Sequence, residues 1–167
     1  AVEDLLIALS AAAPEAVADL LWREIQRTES PQVRGFLLAM TDQLSVDDKR
    51  VGTLAQQIVD EILNPELNER QRARLRYALG RMANAAVTAI LRRLPDARAV
   101  QKPELVRLLD VMCTEGELSD ENFNRAVSVL LDQLKVGDRQ TRRTVLETRV
   151  CADPRVPPEM KRQLASE

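Results

Sequence analysis

The stretch RQRARLRYALGR, residues 70–81, sets four arginines in seven positions and a fifth at its end. Guanidinium groups hold carboxylates and phosphates through paired N–H donors, so the chemistry on offer is anion recognition. On a helix with Leu75 toward the core, Gln71, Ala78, Leu79 and Met82 share the inner side. Arg70, Arg74, Tyr77 and Arg81 then form one outward stripe, spaced i, i+4, i+7 and i+11, with Arg72 and Arg76 on a flank. Three readings stay open for this stripe. It is a solvated face with some arginines paired to acidic neighbours, a patch for an acidic protein partner, or a grip for nucleic acid. Charge is segregated along the chain. Residues 1–68 hold 5 basic and 12 acidic side chains (net −7), residues 69–107 hold 10 and 3 (net +7), and residues 108–167 hold 9 and 11 (net −2). Against nucleic acid stand the acidic whole, net −2, and an aromatic share of 2% that leaves only Tyr77 interleaved for stacking.

Other chemistry is thin. The chain has no histidine, which removes the commonest general base and metal ligand. Its five glycines are isolated, so no phosphate-cradling loop exists. Asp47-Asp48 and Asp60-Glu61 are adjacent carboxylates, and neighbours on a helix point apart. The segment around Gly116 lacks the carboxylates of a calcium loop, with Val111, Cys113 and Asn122 at the ligand positions. Cys113 and Cys151, 38 residues apart, make no disulfide framework and read as two small buried side chains at equivalent places. Trp22 reads as a flank residue covering one end of the helical array, or as an exposed anchor for a partner. No enzyme activity, cofactor or metal is expected. Neither is a membrane span, and without a targeting signal the default compartment is cytoplasmic.

The elements that must position these residues are helices. Leu, Val, Ile and Ala supply most of a 45% apolar share, and apolar residues recur at three and four between breakers. Helix starts fall near 30, 68, 102 and 138, and in a second series near 14, 47, 85, 120 and 157, with a short segment (Val2, Leu5, Leu6, Leu9) before them. Two interleaved series with one shared spacing describe a helix–turn–helix unit repeated along the chain, with short connections that make neighbours antiparallel. The chain begins without Met and in mid-pattern, and a piece of a longer protein is expected.

The stretch ALGRMANAAVTAILRRLPD, from Ala78, resembles the HEAT-repeat pattern, with Ala78, Leu79 and Gly80 closing a first helix and Ala86-Val87, Leu91, Leu94 and Asp96 in the second. PQVRGFLLAM is similar to the start of a first helix through Pro31, Val33 and Arg34, and AVADLLWREI and AVSVLLDQL to second helices. The family's Gly-Asp turn is replaced by Ala83-Asn84. This HEAT-like, armadillo-type resemblance implies an all-α chain, residues 1–167 forming a single domain. It also implies a right-handed α/α superhelix, or solenoid, of about five antiparallel helix pairs. Second helices then line the concave side, which offers Gln56, Asp60, Thr88, Arg92, Arg93, Asn124 and Ser128 to a partner, and places the 70–81 stripe on the convex side. The function so implied is a non-catalytic scaffold or adaptor for an extended or acidic protein. The alternatives are nucleic-acid binding through residues 69–107 and a HEAT-like lyase accessory subunit.

Overall fold

The computed structural model describes Ala8 and residues 11–43, 48–159 and 161–162. The expected segment at Val2, Leu5, Leu6 and Leu9 lies outside the described residues. Among the described residues every regular element is helical, and the chain divides into two compact units, Ala1–Met82 and Ala83–Glu167. The first holds α1 (Pro14–Arg27), α2 (Pro31–Ala39), a 3-10 turn (Met40–Gln43), α3 (Asp48–Ile62) and α4 (Glu69–Gly80). The second holds α5 (Ala83–Arg93), α6 (Lys102–Glu115), α7 (Asp120–Val136), α8 (Arg139–Leu146) and a 3-10 turn (Arg149–Ala152).

Helix starts follow their caps. Pro14 and Pro31 occupy first-turn positions, where a missing N–H costs nothing. The Ser30 hydroxyl accepts from the Val33 N–H, Ser119 from Asn122 at 3.3 Å, and Asp138 from Thr141 at 2.9 Å. Asn68 and Gln71 form a reciprocal capping box, 3.0 Å each way, at the head of α4. α8 stops at Leu146, where Thr148 Oγ1 donates to the Val145 carbonyl at 2.6 Å and the chain turns into the short 3-10 segment. Beyond it, residues 158–159 and 161–162 are helical, within the segment expected from about 157.

Each unit is held by aliphatic faces. In the first, α4 packs on both α2 and α3, with Leu38, Ile58, Leu75 and Leu79 fully buried. In the second, α5 packs on α7 and α6 on α8, while α6 and α7 also touch, and Ile90, Leu105, Leu109 and Ala126 are fully buried. Burying one such leucine or isoleucine stabilises by roughly 1.5–3 kcal/mol. Helices next but one in sequence thus pack together in each unit, α2 with α4, α5 with α7 and α6 with α8.

Polar side chains fix the stagger. Asn84 Oδ1, at the head of α5, accepts from Ser119 N (3.0 Å), Ser119 Oγ (3.2 Å) and Asn122 Nδ2 (2.9 Å) at the head of α7. These partners lie 35 and 38 residues away, one repeat spacing. The chain after α8 is tied back onto α6: Val150 N–H donates to Asp110 Oδ1 (2.8 Å) and Arg149 Nη2 to Glu115 Oε1 (2.8 Å). Arg155 donates to the Cys113 carbonyl (2.6 Å) and lies 4.0 Å from the Phe123 ring centroid. Replacing Asn84 with Ala should cost about 1–2 kcal/mol in urea unfolding, because three donors lose one acceptor. Asn84→Asp keeps the acceptor and adds a negative charge near a helix N-terminus, so it should be at least as stable as the parent.

Candidate functional site

α4 sorts its arginines by their angle to the core. Leu75, Ala78 and Leu79 are buried, and Arg70, Arg74, Tyr77 and Arg81 are exposed, as the helical wheel places them. Tyr77 is 63% exposed. The two flank arginines are half-buried and serve the unit itself. Arg72 reaches back to the end of α3, donating from Nε to the Ile62 carbonyl (3.3 Å) and from Nη2 to the Asn64 carbonyl (3.0 Å). Arg76 pairs with Glu69. That pairing, first the Arg76 hydrogen bond and charge and then the Arg72 charge, holds the Glu69 carboxyl below its ordinary value. Glu69 is the one acidic residue between Leu67 and Pro95, so its capture leaves the solvent face of α4 net positive.

The other sequence candidates fall in both units. In the first, Gln56 is half-buried and Asp60 exposed on α3, and Gln56 Nε2 donates to Asp60 Oδ2 at 3.4 Å. Its neighbour Glu61 points inward, buried, with Arg34 at 3.8 Å and Asn64 Nδ2 at 3.0 Å, so the adjacent carboxylates share no site. In the second unit, Arg92 is exposed and Arg93 half-buried on α5, Asn124 and Ser128 are exposed on α7, and half-buried Thr88 donates to the Asn84 carbonyl. Trp22 is half-buried in a crevice with room for about one water (≈ 10 Å³), lined with Leu21, Ile25, Thr41, Arg50 and Leu54.

The cysteines differ from each other. Cys113 is buried in α6, and desolvation, followed by the nearby Asp110 charge, pushes its thiol up to about 12. Cys151 is only half-buried, against the expectation of two buried thiols, because it sits in the 3-10 turn after α8 rather than within a helix. Both are free. Among the described residues no cluster of three His, Cys, Asp or Glu could hold a metal ion, and no helix is long and apolar enough to cross a membrane.

One basic face escaped the sequence reading. On α8, Arg139, Arg142, Arg143 and Leu146 are exposed on the side opposite buried Thr141, Thr144 and Val145. Helical periodicity could have found it. Averaging charge over residues 108–167, net −2, concealed it.

No family model matches the chain, and no curated protein or solved structure does either.

Two outcomes follow from this geometry. Arg72→Ala should destabilise by roughly 1–2 kcal/mol in urea titration through the two uncapped carbonyls, whereas Arg70→Ala should stay within about 0.5 kcal/mol of the parent. The carboxyls of Glu69, Asp138 and Asp153 are all held below their ordinary values, by Arg76, by the Thr141 backbone N–H and by Arg155 respectively. A lowered folded-state pKa gives stability that is full above the unfolded value and lost as pH falls through the folded one. Unfolding midpoints should therefore fall below about pH 4, and with no histidine they should be flat between about pH 5 and 8.

Proposed function

We propose that the chain is a single HEAT-like, armadillo-type α/α solenoid domain that serves as a non-catalytic scaffold or adaptor for an acidic protein partner. Next-but-one helix packing inside each unit and the Asn84 rung, one repeat spacing long, support the repeat reading. The observation that carries the binding role is the solvent face of α4. Arg70, Arg74, Tyr77 and Arg81 stand exposed, while the acidic residue beside them is neutralised from within the unit. A stripe fixed on a capped helix loses little freedom on binding, so more of its Coulomb attraction and its tyrosine contact survives as affinity. An extended acidic segment fits such a surface.

Nucleic acid is the second reading, favoured by the exposed ring of Tyr77 among arginines. Fluorescence anisotropy with a glutamate-rich peptide, duplex DNA and single-stranded RNA, each at low and physiological salt, separates the two. The expected result is peptide binding that persists at physiological salt and weakens about tenfold or more in Arg70→Glu/Arg81→Glu. Tight DNA or RNA binding that collapses steeply with salt would replace the protein partner with a polyanion.

A further inference from the structure

Two helices carry one surface pattern. α4 contains RQRARLRY, residues 70–77, and α8 is RQTRRTVL, residues 139–146. Both read Arg at the first position, Gln at the second, Arg at the fifth and a large apolar residue at the eighth. In both, those two arginines and the apolar residue face solvent: Arg70, Arg74 and Tyr77 on α4, Arg139, Arg143 and Leu146 on α8. Tyr77 is 63% exposed and Leu146 50%. Each helix buries its opposite side, so the apolar side chain at the eighth position serves no core.

A single exposed leucine is ordinary. A large exposed side chain, Tyr77 or Leu146, below the same pair of arginines in two units with separate cores is not dictated by packing in either. The acidic neighbours are also engaged in both places. Glu69 is held by the flank arginine Arg76 and Asp138 caps α8 through Thr141, whereas Glu147 pairs at 2.8 Å with Arg143 of the face itself, so on α8 a partner carboxylate meets Arg139 directly and competes with Glu147 for Arg143. On α8, Arg142 stands where α4 has Ala73, adding a cation to the face.

We propose that α8 is a second docking site of the same kind as α4, and that each takes an acidic amphipathic peptide segment of a protein partner. Carboxylates meet two arginines spaced one helical turn apart, roughly 6 Å along the axis, and an apolar side chain covers Tyr77 or Leu146. The eighth position decides the partner class. A tyrosine can stack on a base, but a leucine cannot, and what the two share is apolar surface that a peptide side chain covers. This inference rests on the acidic-partner reading of α4.

The test is an amide NMR titration of the full chain with a short synthetic peptide carrying glutamates one helical turn apart beside a central leucine. Amide shifts should appear in both 70–81 and 139–147. Arg139→Glu/Leu146→Ala should erase the second set and spare the first, and Arg70→Glu/Tyr77→Ala should do the reverse. The amide spectrum itself shows that each variant is folded, and Leu146→Ala alone should weaken the second site about fivefold. A peptide with glutamine for glutamate should move neither set. Shifts confined to α4 would overturn the second site and leave the acidic-partner reading standing. No shifts on either helix would overturn both. Duplex DNA that moves the same amides more tightly than the peptide would overturn the peptide as occupant.

Discussion

An aliphatic helix face has to be covered by another helix, and almost everything else in this chain is arranged around that requirement. With aromatics at 2% of the sequence, most buried side chains are leucine, isoleucine, valine or alanine of limited area, so one neighbour is not enough. α4 accordingly rests on α2 and α3, and α8 on α6 and α7. Each contact is modest. Together they leave Leu75, Leu79, Leu105 and Leu109 without access to water.

Such packing is forgiving about register, because one aliphatic ridge slides past another at little cost. The polar side chains at helix ends supply the missing precision. Asn84 Oδ1 gathers three donors from the head of α7, Arg72 closes the last turn of α3, and Arg155 joins the Cys113 carbonyl to the Phe123 ring. These groups sit at or near solvent, where a single hydrogen bond contributes little net free energy. Their role is directional: they select one stagger among several that the apolar faces would tolerate.

Periodicity and caps made the elements legible in the sequence. Ser30, Asn68, Ser119 and Asp138 each stand at a helix head, and the Leu75 wheel placed buried Ala78 and Leu79 inward and exposed Arg70, Arg74, Tyr77 and Arg81 outward, while Gln71 and Met82 are only half-buried. What the sequence did not reveal depends on contacts across long separations. Nothing in Ala83-Asn84 announced that the asparagine side-chain oxygen gathers donors from residues 35 and 38 positions further along the chain. Where α8 ends was hidden too, since only the folded chain brings Val150 to Asp110. The candidates at Gln56, Asp60, Arg92, Arg93, Asn124 and Ser128 were chosen by repeat phase alone, and phase locates a position on a helix without saying what faces it.

The arginines show why composition is a poor guide to surface function. Arg70 and Arg72 are two residues apart in sequence and differ in role, because that step is about 200° around a helix and shifts a side chain from solvent to flank. A flank arginine meets the carbonyls and carboxylates of its own unit, as Arg72 and Arg76 do, and becomes part of the fold. An arginine opposite the core, such as Arg70 or Arg81, stands in solvent where an anion can reach it. Summed over a segment, the two kinds count the same. That is how residues 69–107 look uniformly basic although their flank arginines are engaged internally, and how a cationic face on α8 disappears within a stretch of net charge −2. The charge that a partner meets is set by angle about the helix axis, so the apolar stripe that builds the core also decides which arginines are left to bind.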